Sequence, residues 1–524
     1  MAGCHPMSWK REVEGIEERR RLAREHGGAE GVERQHQRGR LTVRERVDGL
    51  VDSGSFSEQG PIAGHAELDD AGQVASFTPG NYVLGLARID GRPCVVGGED
   101  FTLRGGSPTP AGLRKSVYSE QLAGQYRVPL VRFLEGGGGS VAGSGGARRA
   151  VAGDPVFAAP RFASIAEVMA TVPVVSAAMG AVAGFPAARL VASHFSLMTR
   201  DTAQVMIAGP AVVERALGQK MTKEELGGPD VHLASGVVDN VAADEHDVFA
   251  QIRCWLGYLP TSVWEPAPVA PCDDDPARSE EELLEIVPRN RRLTYDVRRI
   301  VELVVDRGSF FELGMYYGRS QVTGLARLAG QPVGLMANDN RYYAGAMSAD
   351  GAQKVRRFVD FCDTFHLPIV SLVDEPGFMI GAGAEAAGTI RYGAAAIFAV
   401  NQSTVPWATV VVRKAYGVAA AAHFGPGGLV LSWPSAETGA LPVEGGVAVA
   451  FRREIAAAPD PDAKRHELEE QLAAMKSPFP RAESFGVHDL IDPRRTRAAL
   501  CDWVGWIQPR LREHVGPRSY ALRP

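Results

Sequence analysis

The 524-residue sequence predicts an α/β protein of two tandem domains with layered β-sheets and flanking helices, related by internal duplication. The first observation behind this is a repeat held in one register. Gly85-Leu86-Ala87-Arg88, followed by Gly91 and Pro93, returns as Gly324-Leu325-Ala326-Arg327, followed by Gly330 and Pro332, an offset of 324 − 85 = 239. The same offset pairs Asp100 with Asp339, Gly106 with Gly345, Gly112 with Gly351, Lys115 with Lys354, Pro129 with Pro368 and Gly138 with Gly377. Upstream, at a different offset, Asp52-Ser53-Gly54-Ser55-Phe56-Ser57-Glu58 resembles Asp306-Arg307-Gly308-Ser309-Phe310-Phe311-Glu312. A period this long is a whole domain, not a solenoid unit. Two related pockets are therefore expected to face each other.

The second observation is alternation. From about residue 82, a short strand pattern (Pro93 to Gly97) precedes an amphipathic stretch (Ala111 to Tyr126) and the apolar run Pro129 to Leu134, which ends in glycines. Short apolar strands separated by a helix imply buried, mostly parallel sheet. The third is a further apolar run, Val172 to Gly180, closing on Ala183-Gly184, whose counterpart spans Val405-Pro406 to Gly417; here 406 − 173 and 417 − 184 both equal 233.

Element by element, residues 8–50 read as a charged helical arm, with an ion-pairing run from Glu17 to Arg24 and a cap at Leu41-Thr42 before Arg44-Glu45-Arg46. The Pro- and Asp-rich stretch from Tyr258 to Asn290 reads as a solvated connector. The expected division is a first domain over 1–265, a linker over 266–290 and a second domain over 291–524.

Composition narrows the function classes. With 45% hydrophobic and 23% charged residues the chain is of ordinary globular type and can bury large cores. A net charge of −6 leaves no basic stripe for a nucleic-acid backbone. MAGCHPMSWKREVEG lacks the apolar run of a signal peptide and no stretch has the length of a membrane span, so a cytoplasmic, membrane-free protein is expected. The six cysteines form no CxxC pair, which argues against a disulfide frame or zinc, and no metal is expected.

In each copy a buried strand runs into a sparsely covered turn: Leu134-Glu135-Gly136-Gly137-Gly138-Gly139 in the first, Val373-Asp374-Glu375-Pro376-Gly377-Phe378 in the second. If a helix follows, its free N–H groups converge on one spot and favour developing negative charge, as in an oxyanion hole. A tight strand-to-helix turn would need the same glycines for backbone reasons alone. Local sequence does not choose between the two.

Several further segments stand in a specific order: Arg34-Gln35-His36 leading to Gly39-Arg40-Leu41-Thr42, Asp100 to Ser107, Glu224 to Gly228, Ser235-Gly236-Val237, Arg413-Lys414-Ala415-Tyr416-Gly417, Trp433 to Glu437 and Glu444-Gly445-Gly446. Together they resemble the carboxyltransferase (β) subunits of biotin-dependent acyl-CoA carboxylases, of the propionyl-CoA and acetyl-CoA carboxylase type, in the crotonase (ClpP/crotonase) superfamily. The resemblance implies two tandem crotonase-like domains and transfer of a carboxyl group from carboxybiotin, borne on a partner, to the α-carbon of an acyl-CoA. In that family biotin's own ureido nitrogen takes the α-proton and the protein stabilises two oxyanions. Carried over by position, Gly137, Gly138 and Gly139 match the acyl-CoA turn. Gly417, Val418 and Ala419 match the biotin-side turn, with Gly377 and Phe378 at the neighbouring strand end. The resemblance also implies a biotinylated α subunit (biotin carboxylase/carrier) as partner and a dimer-based homo-oligomer, commonly a hexamer, in which the first domain of one subunit meets the second domain of another.

The chain departs from the family pattern in places. Where the family reads Lys-Ala-Tyr-Gly-Gly-Ala-Tyr, this sequence has Lys414-Ala415-Tyr416-Gly417-Val418-Ala419-Ala420; Val418 keeps its N–H but adds a branched side chain. In the first copy Phe185-Pro186 follows Gly184, and Pro186 has no N–H to donate. Ser140 replaces a frequent Arg, Glu375 a small apolar residue and His423 an apolar one. Glu375 and His423 either supply acid–base chemistry that the parent reaction does not need, or are a solvated turn carboxylate and a hydrogen-bonded loop residue. Ala421 falls where the family sets acyl-chain length, and its small size would admit a larger acyl group. These departures keep two other readings open: a biotin-independent decarboxylase or acyl/carboxyl transferase acting on a malonyl-type thioester, and a non-catalytic pseudo-subunit.

Other signals carry little weight. Ala474-Met475-Lys476-Ser477 resembles a biotin-attachment turn but lies in a helix-like charged run. Gly143-Ser144-Gly145-Gly146 lacks the Gly-Lys-Ser/Thr end of a phosphate loop, and Ser140 lacks a Gly-x-Ser-x-Gly frame.

Overall fold

The computed structural model describes residues 8–25, 27–137, 162–474 and 477–518. The chain divides into two compact units, one up to Leu256 and one from Gly257 onward. The stretch expected as a solvated connector packs on the second unit. Arg327 donates to the carbonyls of Gly257 (2.6 Å) and Pro268 (3.1 Å), Ala270 N–H donates to Gly330 (3.0 Å), and Leu283 joins the core. A proline-rich segment has few N–H groups but keeps every carbonyl, so a guanidinium can hold it against a neighbouring domain.

The arm forms three helices, Lys10–Arg24, Ala29–His36 and Val43–Leu50. The Glu17 to Arg24 run lies in the first of these and makes exposed i,i+3 pairs, Arg20 with Glu17 at 2.9 Å and Arg21 with Glu18 at 2.7 Å, each worth little in solvent. The third begins with a capping box: Thr42 accepts from Glu45 N–H while the Glu45 carboxylate accepts from Thr42 N–H.

In the first unit β1 (Ser57–Glu58), β4 (Tyr82–Ile89) and β5 (Arg92–Glu99) form the antiparallel edge of the main sheet. β6 (Leu130–Gly136), β7 (Val174–Ala183), β8 (Phe195–Thr199) and β10 (Asn240–Ala242) continue it in parallel. β9 (Gln204–Met206) pairs with the far end of β7, and β2 (Gly64–Leu68) and β3 (Val74–Pro79) make a separate hairpin. The second unit repeats this order with β11 (Phe311–Leu313), β12 (Gln321–Leu328), β13 (Gln331–Asn338), β14 (Ile369–Glu375), β15 (Trp407–Tyr416), β16 (Leu429–Ser432) and β18 (Asp489–Leu490), with β17 (Glu437–Gly439) on β15. The offsets survive in three dimensions: 321 − 82, 331 − 92 and 369 − 130 all equal 239, and 407 − 174 equals 233.

Between β5 and β6 lies the helix Pro110–Tyr126, started by Thr109, whose hydroxyl accepts from Gly112 N–H, with Pro110 at its first position, and ended by Arg127 in the left-handed region (φ 54°). Every residue of β6 and of β14 is buried, as expected for parallel strands covered on both faces. Ala474 ends a helix beginning at Pro461, and Met475 and Lys476 lie outside the described residues. Among the described residues no helix is long and apolar enough to cross a membrane.

Candidate active site

β6 and β14 both end in a turn sealed by one glycine from a neighbouring segment. A Cβ on Gly106 (φ +70°) would lie 2.6 Å from Gly136 Cα and against the Glu135 carbonyl; a Cβ on Gly345 (φ +94°) would lie 2.6 Å from the Asp374 carbonyl. Only glycine permits both the positive φ and the backbone contact. Gly137 continues the first turn, and among the described residues the nearest atom to a Cβ there is Ser107 Oγ at 4.0 Å. Gly138 and Gly139, the other two residues expected in this turn, lie outside the described residues, as does Ser140.

In the second unit the turn is filled from within. Glu375 is fully buried, which overturns the alternative of a solvated turn carboxylate. Its Oε1 accepts from Gly377 N–H (3.0 Å) and Met347 N–H (3.3 Å), and its Oε2 from Asn338 Nδ2 (3.1 Å) and Gln321 Nε2 (3.2 Å). His423 Nε2 stands 3.5 Å from Oε2, and His423 Nδ1 pairs with Ser371 Oγ at 3.0 Å. Burial pushes the Glu375 carboxyl above its ordinary range, opposed by His423 and the N–H donors. Gly377 N–H is therefore committed to Glu375. Phe378 pairs through its backbone with Met347, and its ring covers Gly393.

The second pair of turns follows β7 and β15. Gly417 (φ +62°) spends its N–H on the Gly439 carbonyl at 3.1 Å. Val418 then leads into the 3₁₀ turn Ala419–His423, with Ala419 buried, Ala421 half-buried and donating to the Val418 carbonyl at 3.1 Å, and the Val418 side chain 64% exposed. That turn carries His423 back to Glu375, so one buried pair joins the two strand-end turns of the second unit. In the first unit Gly184 (φ +66°) precedes the short helix Phe185–Val191, in which Pro186 offers no donor.

Beneath the first-unit turn, Phe185 and Pro186 meet Tyr82, Glu99 and Arg189, which sequence reasoning passed over. A small, partly open cavity is lined by Asn81, Tyr82, Glu99, Phe185, Pro186 and Arg189, among others. Glu99 Oε2 accepts from Glu135 N–H at 3.2 Å, and burial raises its carboxyl to about 7, opposed by Arg189. Arg189 Nε lies 3.0 Å from Glu120 Oε1, which also faces Arg132 Nη1 at 3.0 Å, while Phe185 covers the Arg189 guanidinium at 4.5 Å. The one signal that reaches these residues is the 239 offset, which pairs Tyr82 with Gln321 and Glu99 with Asn338.

Residues 34–508 match the carboxyl transferase domain. The chain is 33% identical over 518 residues to the methylmalonyl-CoA decarboxylase subunit alpha of Veillonella parvula, covering 98% of each. It is 35% identical over 505 residues to the propionyl-CoA carboxylase carboxyltransferase subunit of Haloferax mediterranei, covering 94% of this chain and 95% of that one. Among solved structures, the transcarboxylase 12S hexamer with methylmalonyl-coenzyme A and methylmalonic acid bound superposes with a TM-score of 0.86 at 32% identity, covering 100% of this chain and 98% of that one. The chain belongs to the carboxyl transferase family, as a carboxyltransferase subunit acting in acyl-CoA carboxyl transfer.

Proposed function

We propose that the first unit holds an acyl-CoA of short chain, that the second receives the biotin of a biotinylated partner subunit, and that the active assembly is a dimer-based hexamer. The observation that carries this division is the pair of strand-end turns sealed alike by Gly106 and Gly345, uncrowded by the described residues at Gly137 and reshaped by Glu375 in the second unit. On this reading Gly137, with Gly138 and Gly139, donates to the thioester oxygen as the enolate forms. Gly184 shapes the adjacent turn.

Two features of the second unit support a biotin group there. The Val418 side chain stands largely in the open, and the start of a helical turn carries N–H groups without acceptors inside it. Val418 and Ala419 would hold the urea oxygen, Gly417 fixes the turn, and Ala421 borders the acyl end. When bound, carboxybiotin supplies the carboxyl group and its ureido nitrogen takes up the α-proton. Glu375 and His423, both fully buried, position Gly377 and Phe378 in this reading rather than touch the reactants.

The likeness to a methylmalonyl-CoA decarboxylase subunit supports a second reading, release of the carboxyl group from a malonyl-type thioester; that this release needs no carboxybiotin is the part the experiment decides. One experiment separates the two. The purified protein is incubated alone with malonyl- or methylmalonyl-CoA, and separately with propionyl-CoA plus a carboxybiotin-bearing partner. Turnover only with the partner supports transfer; turnover alone sinks transfer as the sole activity. Mass photometry reads the assembly, and a stable monomer overturns the hexamer.

A further inference from the structure

The duplication allows one half of the protein to be read against the other. In the second unit the Glu375 carboxylate is held by Gln321, Asn338 and Met347 N–H. Subtracting 239 gives Tyr82, Glu99 and Pro108, three residues that line the first-unit cavity, while Glu375 itself becomes Gly136, which has no side chain. Register supports the match: Glu375 sits opposite Ala415 as Gly136 sits opposite Val182, and 415 − 182 = 233. The space a carboxylate fills in one copy is a cavity in the other.

The cavity is also provisioned for an acceptor. Arg189 Nη2 is buried with no hydrogen-bond partner among the described residues, and the buried Tyr82 hydroxyl meets none of ordinary geometry there, with Ser119 the one hydroxyl that interacts with it. Both side chains are 1% exposed. A buried guanidinium donor left unpaired is costly, and a charge-assisted bond to a carboxylate offsets that cost. Pro108 lacks the N–H that Met347 donates in the other copy, and Arg189 supplies a cationic donor in its place. Charge points the same way. Arg132 and Arg189 share Glu120, which leaves one positive charge for Glu99 or for a ligand to balance.

We propose that this cavity is a carboxylate subsite, in which Arg189 Nη2 and the Tyr82 hydroxyl grip a carboxylate carried by the acyl group, at the place Glu375 fills in the second unit. The assignment of that carboxylate to an acyl-CoA rests on the proposed function of the first unit; the subsite itself does not. Glu99 is faced by Tyr82 on β4, Arg132 and Glu135 N–H on β6 and Arg189 on the helix Phe185–Val191, the two arginines sharing Glu120 of the helix Pro110–Tyr126. Its protonation near pH 7 removes a like charge beside the incoming carboxylate, so binding strengthens as pH falls from 8 to 6, a range in which a ligand carboxylate stays ionised.

The test is calorimetric binding of propionyl-CoA, methylmalonyl-CoA, succinyl-CoA and free methylmalonate and succinate to the full chain, without partner. At least one carboxylated thioester should bind about tenfold or more tighter than propionyl-CoA, as one charge-assisted bond predicts. Arg189→Gln and Tyr82→Phe should erase that advantage while leaving propionyl-CoA affinity in place, and Glu99→Gln should abolish its pH dependence. Equal binding of all thioesters, or an advantage that survives in both variants, overturns the subsite. Should Arg189→Gln fail to fold, Tyr82→Phe, which removes a single oxygen, decides the same question. If no thioester binds, the acyl-CoA reading of this unit falls, and the free acids decide the subsite alone: Arg189- or Tyr82-dependent binding keeps it, and none overturns it.

Discussion

Gly180 and Arg413 occupy one position of the duplicated domain, since 413 − 180 = 233, and they solve the same charge problem in opposite ways. In the second unit Arg413 reaches Asp374 from β15 at 3.1 Å. In the first, the corresponding carboxylate is Glu135, and its cations come from the arm: Arg40 Nη1 at 2.5 Å and Arg46 Nη1 at 2.6 Å. A Cβ on Gly180 would lie 2.5 Å from both Arg40 Nη1 and Glu135 Oε1, so Gly180 makes room for the arm's arginine. The helical arm is thereby part of the first unit's core.

Removing one member of such a buried pair strands the other. Arg413→Ala leaves Asp374, among the described residues, with Tyr295 and Lys414 N–H as donors, and should cost about 3–5 kcal/mol. Gly180→Ala should cost about 1–3 kcal/mol by overpacking. Chemical denaturation reads both, and a loss below about 1 kcal/mol for Arg413→Ala would show that Asp374 is satisfied without it.

Gly345→Ala should be more damaging than its size suggests. It places a Cβ at positive φ and 2.6 Å from the Asp374 carbonyl, a combined strain of about 2–4 kcal/mol. Lower thermal stability together with lost carboxyl transfer is the expected outcome. Wild-type melting in this variant would refute the sealing role.

Glu99 makes stability depend on pH in a definite direction. Its carboxyl is raised from 4.5 to about 7, so the folded state holds the proton more tightly than the unfolded chain. The stability it contributes is whole below about pH 4.5 and is lost as pH rises through 7, by up to about 3 kcal/mol. Glu99→Gln keeps an acceptor for Glu135 N–H and removes the titration. Its melting temperature relative to wild type should rise from pH 5 to pH 8; a flat difference would mean that Glu99 titrates near its ordinary value.

Val418→Gly tests access to the second unit. With the side chain 64% exposed, the change should cost under about 1 kcal/mol. If the branched side chain narrows the approach of biotin, partner-dependent turnover rises several-fold. Unchanged steady-state kinetics would clear Val418 of that role.

Much of this was legible in the sequence because the repeat is written in backbone-determined residues. Gly106, Gly345 and the prolines before β6 and β14 hold their register since turns and strand entries tolerate few alternatives, and the apolar runs of β6 and β14 announce strands buried on both faces. The cavity was not legible in this way. Tyr82, Glu99 and Arg189 carry no spacing motif, and each alone passes for an ordinary core or surface residue. Glu375 looked like a turn carboxylate because its partners are distant in the chain.

By itself the sequence determined the duplication, the α/β layering and the glycine turns, all of which follow from local conformational limits and hydrophobic periodicity. Only the tertiary structure decided which carboxylates are paired, which donors are left unpaired and which copy keeps an empty space. Those outcomes depend on contacts such as Asn338 and Gln321 with Glu375, 37 and 54 residues apart, and Arg46 with Glu245, 199 apart. Burial and hydrogen bonding are set where sheet pairing brings distant residues together, and there the two halves of a repeated chain diverge.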